Sequence, residues 1–529
     1  MIVQIPRPPF PMTSRRAALL LLAACCMTAC SQRTASAQEP GGLAAAAAIQ
    51  EAFVRAIESA EKSVVSIARD RVRAPIANHP NDRPWLTRAR ETDPSDPGWV
   101  PNEFGAGIII DKSGLILTNY HVVRGGPVWT TGDGKPEQKA DQNIYVRLAD
   151  RRGYEARIYA ADPRSDLAVI KLYSPQQPIE NLTPLKLGAT VPPRKGQMVI
   201  ALGNPYAIAR DGSASATWGI ISNLSRSAHI AEDKNDPEYH RKLTVHHLGD
   251  LIQIDTRLEL GTSGGALLNL QGEVIGMTTS LAAIVGYEKA AGFAVPFDDS
   301  IRRIIESLRQ GKEVEYGFLG ITPNEVLPAE LMKPEWAAVV SRIRQYSVAR
   351  IESIVTGLPA DTAKLRVGDL VLRIGDKQIF NQNDLMREIG FAVPGSIVRI
   401  RIFRDGEERD VPVEVGKWPV IDEEGIVATR PLREPWRGIV YDYGTSRRRF
   451  ASNPATLERS VGVRVLEVLP NSQAATRDVQ PGDLITHVRN AAVTTPREFA
   501  DAVQKISGPV LLRVSKSTSS PPVAVEIKP

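Results

Sequence analysis

The chain has 529 residues, and 65 Lys and Arg residues against 60 Asp and Glu residues give a formal net charge of +5. A chain of this length exceeds what one hydrophobic core usually serves, so several domains are expected. Because three of the arginines lie in the N-terminal segment (Arg7, Arg15 and Arg16), the rest of the chain is nearly neutral, which argues against a nucleic-acid-binding protein.

Residues 1–37 have the pattern of an export signal, because Arg15 and Arg16 precede an apolar run too short to span a bilayer. All three cysteines lie in this segment. Two interpretations remain open. The sequences before Cys25 and Cys30 resemble the lipobox of bacterial lipoproteins, which predicts membrane attachment through a lipidated cysteine; alternatively, cleavage follows Ala37. Either interpretation places the mature protein in the periplasm or cell envelope.

The next elements lead to a candidate base. Residues 44–61 have an alanine-rich helical pattern, and residues 64–67 are typical of a first strand. Residues 74–103 are rich in Pro, Asp, Arg and Trp without periodicity, which predicts a long loop that is either functional or disordered. The apolar hairpin 107–118 ends just before His121, which makes this histidine the best candidate for a general base.

A candidate acid follows at the start of another strand. The turn 162–166 precedes the apolar run 167–170, so Asp166 lies where a turn enters a buried strand. A carboxylate in such a position needs a hydrogen-bond partner. We interpret Asp166 as the group that orients the imidazole of a histidine.

A polar insertion, residues 227–251, contains four histidines: His229, His240, His246 and His247. Their spacing is not that of zinc ligands, and a metal site would need three or four convergent side chains. We therefore expect no metal here and interpret the insertion as a solvated loop.

A serine between glycines, in Gly261-Thr262-Ser263-Gly264-Gly265, is typical of a hydroxyl nucleophile presented at a tight turn. The same letters satisfy the nucleophile elbow of α/β-hydrolases, which needs a following helix and a downstream acid and histidine. Residues 266–277 instead read as strand, turn and strand, and the only later histidine, His487, lies in a repeat unit. The order His121, Asp166, Ser263 is that of a chymotrypsin-type triad.

The C-terminal part contains two copies of one small domain. Asp298 or Asp299 can cap a helix that ends before Gly311, and residues 311–315 read as a linker. A pattern of small, apolar and Gly-Asp positions beginning at Ala360 then recurs at an offset of 114 residues. Each copy has a helix after this pattern, near 385–389 and near 499–506.

Six ordered motifs together resemble those of the HtrA/Deg serine proteases. These motifs are 117–123, 166–169, 201–205, 261–265, 272–276 and 292–296. The resemblance implies a mainly β fold, with a chymotrypsin-like double β-barrel protease domain followed by two α+β PDZ domains. The implied boundaries are 44–311 for the protease domain, 316–416 for the first PDZ domain, 417–434 for a linker and 435–529 for the second PDZ domain.

The resemblance also implies roles for individual residues. Catalysis would rest on His121, Asp166 and Ser263, with an oxyanion hole made by the N–H groups of Gly261 and Ser263. Leu258 aligns with a wall of the S1 pocket and would favour small or medium aliphatic P1 residues. No cofactor is implied. The family also predicts homo-oligomers built from trimers and unfolded or damaged envelope proteins as substrates.

Peptide C-termini are the ligands implied for the PDZ domains. Their carboxylate would bind to backbone N–H groups in the loop Phe318-Leu319-Gly320-Ile321 of the first domain. In the second domain the corresponding loop has Arg437 where an apolar residue is usual, so ligand binding there stays open. Around the serine, Glu259, Leu260 and Thr262 depart from the family pattern. The alternative is therefore a proteolytically silent PDZ chaperone or scaffold with a distorted oxyanion loop.

Overall fold

The structure is a computed structural model that describes residues 40–71, 103–126, 128, 142–204, 212–227, 244–279, 292–516 and 522–529. The export signal, nearly all of the predicted loop 74–103, His229 and His240 lie outside the described residues. The chain divides into two compact units, 1–55 and 56–529, and every site discussed below belongs to the second. None of the described helices combines the length and apolar character needed to cross a bilayer.

The N-terminal part begins with a long helix and continues mainly as strands, as the apolar patterns predict. In chain order they are α1 (Pro40–Ala60), β1 (Val64–Arg71), β2 (Glu103–Ile109), β3 (Leu115–Asn119), α2 (Tyr120–Val123), β4 (Gln142–Arg147), β5 (Gly153–Asp162), β6 (Leu167–Tyr173), β7 (Met198–Gly203), β8 (Ser215–Arg226), β9 (Leu251–Ile254), β10 (Ala266–Asn269), β11 (Val274–Thr279), β12 (Gly292–Pro296) and α3 (Asp299–Arg309).

The first barrel consists of β1 to β6. The strand order is β5-β4-β1-β2-β3-β6, and the barrel closes because β5 also pairs with β6. Apolar side chains such as Ile67, Ile116 and Ile170 fill its interior. In the antiparallel register of β3 and β6, Asn119 lies opposite Leu167. This pairing brings the end of β3, and hence His121, to the turn that carries Asp166.

The second barrel is closed, with the strand order β10-β11-β12-β9-β8-β7. The prediction of strand, turn and strand after Ser263 is confirmed by β10 and β11. The two barrels meet at Ser263, whose carbonyl oxygen accepts a hydrogen bond of 2.8 Å from the N–H of Ala106 in β2. The serine segment therefore lies in the cleft between the barrels.

Helix α3 follows the second barrel, and Asp298 is its cap, since its carboxylate accepts a hydrogen bond of 3.0 Å from the Ile301 N–H. The remaining elements are β13 (Gly317–Phe318), β14 (Ile321–Val326), α4 (Pro328–Leu331), α5 (Ala337–Ile343), β15 (Val348–Ile354), α6 (Pro359–Thr362), β16 (Leu370–Ile374), β17 (Lys377–Gln378), α7 (Gln382–Gly390), β18 (Ile397–Arg404), β19 (Glu407–Glu414), β20 (Gly416–Lys417), β21 (Val427–Ala428), β22 (Ile439–Tyr443), α8 (Pro454–Glu458), β23 (Val463–Val468), β24 (Leu484–Val488), β25 (Ala491–Ala492), α9 (Pro496–Gln504), β26 (Val510–Ser515) and β27 (Val523–Ile527).

The two C-terminal domains share one topology, as the sequence repeat predicts. The strand order is β14-β15-β16-β18-β19 in the first and β22-β23-β24-β26-β27 in the second, and a two-residue strand pairs with the third strand of each. Helix α9 begins with a capping box, because the side chains of Thr495 and Glu498 accept hydrogen bonds from each other's backbone N–H groups.

The segments between the domains are packed rather than loose. Lys417 has a side chain only 1% exposed, and its Nζ atom lies 2.7 Å from Glu313, 2.6 Å from Asp442 and 3.3 Å from Glu315. Glu313 and Glu315 lie in the linker 311–315, Lys417 lies in β20, and Asp442 lies in β22. The second linker, residues 417–434, also carries β21, which pairs with the end of β5 in the first barrel.

Candidate active site

Asp166 is fixed by a dense set of hydrogen bonds at the start of β6. Its side chain is 4% exposed and its φ is 51°, a left-handed conformation that closes the turn 162–166. The Asp166 carbonyl oxygen accepts hydrogen bonds from the Tyr120 N–H at 2.8 Å and from Asn119 Nδ2 at 3.2 Å. The carboxylate is thereby held against the residues that precede His121.

His121 lies in the short helix α2 and contacts this carboxylate twice. Its Nδ1 atom is 2.8 Å from Asp166 Oδ2, and its backbone N–H donates to Oδ1 at 3.0 Å. An Nδ1–H bound to a carboxylate leaves Nε2 of a neutral imidazole as the proton acceptor. The imidazole is 24% exposed, so the ring is accessible to solvent rather than enclosed in the core.

Asn119 is a site residue that the sequence analysis missed. Its Nδ2 group donates to Asp166 Oδ2 at 3.2 Å as well as to the Asp166 carbonyl. Asn119 is fully buried. Its position at the end of β3, just before the histidine, was visible in the sequence, but the partner 47 residues away was not.

Ser263 and Val122, the residue after His121, both lie next to Gly105 of β2. A Cβ atom added at Gly105 would lie 2.6 Å from Val122 Cγ1 and 3.2 Å from the Ser263 carbonyl oxygen. The residue after His121 and the serine therefore pack on the same point of the first barrel. Ser263 itself is buried, at 3% exposure.

The turn before Ser263, residues 259–262, is closed by hydrogen bonds to the Glu259 carbonyl oxygen. The Thr262 N–H donates to the Glu259 carbonyl at 3.1 Å, and Gly261, the third residue of this turn, has a φ of 96°. A positive φ at the third position is the type II geometry. The Thr262 hydroxyl donates to the same carbonyl at 2.7 Å. Two departures from the family pattern, Glu259 and Thr262, therefore form the turn, and the third, Leu260, is exposed on it.

Leu258, the expected pocket wall, is partly buried against the core of the second barrel. A Cβ atom at Gly292 of β12 would lie 2.9 Å from Leu258 Cγ, so this side chain covers β12. The residue lies five positions before the serine, on the barrel that also carries Ser263.

His246 corrects the interpretation of the insertion as a solvated loop. Its side chain is completely buried, with Nδ1 2.9 Å from both Asp250 carboxylate oxygens and Nε2 2.7 Å from the Ser165 carbonyl oxygen. Burial lowers the pKa of His246, but the Asp250 carboxylate outweighs it, and the pKa is raised overall. The polar composition of the insertion did not reveal that His246 bonds Ser165, which is distant in sequence. The spacing of four residues between His246 and Asp250 could have indicated a paired histidine. Among the described residues, no cluster suited to a metal ion occurs.

The loop expected to bind carboxylates in the first PDZ domain lies at the edge of its sheet. Leu319 is buried, Gly320 has a φ of 76°, and Ile321 begins β14, which is the edge strand. Phe318 instead pairs with Gly416 in the two-stranded sheet. A free edge beside a helix is the arrangement used for strand addition by peptides.

In the second PDZ domain, the corresponding loop carries Arg437, which bonds its own domain. The guanidinium of Arg437 donates to the carbonyl oxygens of Ile527 at 2.7 Å, Gly508 at 2.8 Å and Ile506 at 3.3 Å. This arginine therefore joins three segments of its own domain, where Leu319 of the first domain fills the apolar core.

Helix α7, beside the edge strand of the first PDZ domain, contacts the protease domain. Arg387 on α7 donates to the carbonyl oxygens of Leu248 at 2.9 Å and Gly249 at 3.1 Å. These two residues directly follow His246 and His247. A chain of contacts thus runs from α7 through His246 to the turn that carries Asp166.

Comparisons with known proteins agree with this architecture. The family model for the trypsin-like peptidase domain matches residues 105–277, and that for the PDZ domain matches residues 317–415. A probable periplasmic serine endoprotease, DegP-like, from Hahella chejuensis is 31% identical over 422 residues, covering 77% of each chain. A protein of the same name from Pseudomonas fulva is 28% identical, covering 86% of this chain and 88% of the relative.

Among solved structures, the HtrA-type protease AlgW with a decapeptide is similar at 24% identity, covering 70% of this chain and 99% of that one, with a TM-score of 0.47. The identity and coverage of the Hahella relative, together with the two domain matches, settle the family. The chain belongs to the DegP-like serine endoproteases of the HtrA/Deg family and is a serine endopeptidase.

Proposed function

We propose that the protein cleaves peptide bonds with Ser263 as nucleophile, His121 as general base and Asp166 as the residue that orients the imidazole. The observation that carries this assignment is the double contact of His121 with the Asp166 carboxylate, at 2.8 and 3.0 Å. The packing of Val122 and Ser263 on the same glycine supports it. The domain boundaries implied by the sequence belong to the same proposal.

In this mechanism Nε2 of His121 accepts the Ser263 proton as the hydroxyl attacks the carbonyl carbon, and later donates it to the leaving amine. Asp166 stabilises the imidazolium that forms between these steps. The N–H groups of Gly261 and Ser263 stabilise the oxyanion of the tetrahedral intermediate, each at about 3–4 kcal/mol. Leu258 contributes to the S1 pocket and favours small or medium aliphatic P1 residues.

The substrates that we propose are unfolded or damaged proteins of the periplasm, and the names of the curated relatives support this location. The PDZ domains bind peptide C-termini, the first at Phe318 to Ile321. The protein assembles into homo-oligomers built from trimers. Export through the signal at 1–37 ends either in cleavage after Ala37 or in membrane attachment through lipidated Cys25 or Cys30.

A silent PDZ chaperone is the alternative, and it requires a distorted turn before Ser263. Against it stand the two hydrogen bonds that Thr262 makes to the Glu259 carbonyl and the positive φ of Gly261. These features support a turn that can donate N–H groups to an oxyanion.

Digestion of unfolded casein by the wild type and by Ser263→Ala, beside labelling with a fluorophosphonate, tests the mechanism. We expect cleavage and labelling by the wild type and by the control Ser341→Ala, an exposed serine of the first PDZ domain, and neither by Ser263→Ala. Equal turnover by Ser263→Ala, or no labelling of the wild type, would reject the proposal.

Peptide binding is tested separately with apolar peptides that carry a free or an amidated C-terminus. Capture of the carboxylate at the first PDZ loop predicts tighter binding of the free form and loss of this preference in Gly320→Val. A Cβ atom at Gly320 would lie 2.7 Å from the Leu358 side chain in a left-handed backbone conformation, so this substitution distorts the loop. Indifference of the wild type to amidation would contradict carboxylate capture.

A further inference from the structure

A cavity of about 230 Å³ lies where the protease domain meets the first PDZ domain. Apolar side chains from three segments line it: Val245 and Leu248 beside His246, Met386 on α7, and Ile421 and Ile426 after the first PDZ domain. The volume is slightly below the roughly 300–1,000 Å³ of drug-sized sites, so the cavity suits a small ligand.

One cation on the wall of this cavity, Arg164, forms no ion pair with the carboxylates that the structure describes, although Asp162 raises its pKa from a longer distance. The Arg164 guanidinium lies 4.1 Å from the centroid of the Trp418 ring and 4.5 Å from that of Tyr316. Within the described part of the chain, no carboxylate approaches it within 4 Å and no acceptor bonds its side chain. Burial lowers the pKa of Arg164, against the opposite effect of Tyr316 and Asp162, and the residue as a whole is partly exposed. Buried charged groups are almost always paired, so a partly buried arginine that bonds no carboxylate offers a place for an anion.

The acidic residues of the cavity are engaged elsewhere. Asp162 Oδ2 accepts hydrogen bonds from the hydroxyl and N–H of Ser165, at 2.5 and 3.0 Å, and from the Tyr316 hydroxyl. Burial raises the pKa of Asp162, which weakens it further as a counter-ion. The other acid, Asp422, accepts a hydrogen bond of 3.3 Å from the N–H of Gly425.

We propose that this cavity binds a small carboxylate with an apolar body. The carboxylate pairs with Arg164 between the two aromatic rings, and the aliphatic or aryl part contacts Val245, Leu248 and Met386. A planar guanidinium that is already stacked and partly shielded from water forms strong, bidentate hydrogen bonds with a carboxylate. The ligand is either the C-terminal residue of an apolar peptide or a free fatty acid, because both present this chemistry.

Such a ligand would act on the turn that carries Asp166. The Arg164 carbonyl oxygen accepts a hydrogen bond of 2.7 Å from the Val245 N–H, and the next carbonyl, that of Ser165, bonds His246. Binding itself does not depend on the proposed catalysis, so a failure here and a failure of the proposed mechanism are distinguishable.

Calorimetric titration of the full-length protein with N-acetyl-leucine and with octanoate below its micellar concentration tests both sources. Each is compared with its neutral analogue, N-acetyl-leucinamide or octanol. We expect at least one carboxylate to bind at least tenfold more tightly than its analogue, and the arm that does so identifies the source. No preference for either carboxylate in the wild type would overturn the proposal.

Two variants locate the binding. Arg164→Met removes the charge, and Met386→Trp fills the cavity without changing its charge; each should weaken carboxylate binding at least tenfold. Arg497→Met, which removes an exposed arginine of the second PDZ domain, should leave binding unchanged. Binding that survives both Arg164→Met and Met386→Trp would belong to another site, such as the PDZ groove, and would overturn the assignment. If Arg164→Met does not fold, the proposal is tested by Met386→Trp and by the comparison of each carboxylate with its neutral analogue.

Discussion

The Nε2 atom of His246 lies 2.7 Å from the carbonyl oxygen of Ser165, the residue before Asp166. A carbonyl oxygen only accepts hydrogen bonds, so Nε2 carries a proton. Nδ1 faces the Asp250 carboxylate, and this contact also needs a proton. Together with the raised pKa of His246, these contacts indicate an imidazolium paired with a carboxylate directly beside the turn that carries Asp166.

Replacing His246 by Gln should destabilise the protein most at low pH. The folded-state pKa of His246 is raised above its unfolded value of 6.5 by Asp250, despite burial. A raised pKa stabilises the fold fully below about 6.5 and loses this contribution as the pH rises through the folded-state value. The melting temperature of His246→Gln should therefore lie furthest below that of wild type at pH values under about 6.5, and the gap should narrow as the pH rises above this value. His487→Gln, in the second PDZ domain, is the control; a difference for His246→Gln that does not change with pH would contradict the charged pair.

Asn119 should matter for catalysis because it holds the Asp166 carboxylate from a second side. Loss of this hydrogen bond in Asn119→Ala should lower kcat/KM about ten- to hundredfold, since a bond to a charged group contributes about 1.5–3 kcal/mol. Asn119→Asp should be worse, because it buries a second carboxylate beside Asp166. Steady-state kinetics on a peptide substrate measure both. Activity of Asn119→Asp above that of Asn119→Ala would contradict this role.

The turn before Ser263 should not tolerate a side chain at Gly261. A Cβ atom there would lie 2.4 Å from the Asn204 carbonyl oxygen and 2.6 Å from the Phe104 ring. Gly261→Ala should displace the N–H group from the oxyanion hole and lower kcat about 10²–10³-fold. Gly196 is a matched control, because its φ is 83° and a Cβ atom would meet nothing within 4 Å. Gly196→Ala should keep full activity; similar losses in both variants would implicate backbone strain alone.

Lys417 should be essential to the junction between the linkers and the PDZ domains. In Lys417→Met, the carboxylates of Glu313 and Asp442 lose a buried partner, which typically costs about 3–5 kcal/mol. Burial raises the pKa of Glu313, but Lys417 and Arg447 outweigh it and lower the pKa to about 2. A lowered pKa stabilises the fold above the unfolded value of 4.5, and this contribution disappears as the pH falls through about 2.

Calorimetry at pH 7, 4 and 3 checks this expectation. The destabilisation of Lys417→Met should be largest at pH 7 and should shrink towards pH 3. Arg401→Met breaks an ion pair with Asp410 whose side chains are 44% and 37% exposed, and such surface pairs contribute little. A melting temperature for Lys417→Met as close to wild type as that of Arg401→Met would show that the cluster is dispensable.

Local patterns in the sequence predicted the strands around Ser263, the histidine after a hairpin and the repeated domains. These features depend on residues close together in the sequence. The order His121, Asp166, Ser263 along the chain then favoured the chymotrypsin-like fold over that of the α/β-hydrolases. The burial of His246 and the bond between Asn119 and Asp166 depend on contacts between distant segments. Periodicity carries no information about such contacts, and polar residues in an insertion look the same whether they are solvated or paired.

Strand β21 covers an edge that the first barrel would otherwise expose. β4 pairs only with residues 153–156 of β5, whereas Val427 and Ala428 pair with Ala161 and Ala160 near its end. An uncovered strand edge is a template for pairing with another chain. A protein shortened before Val427 would thus be prone to aggregate even though His121, Asp166, Ser263 and the first PDZ domain are intact.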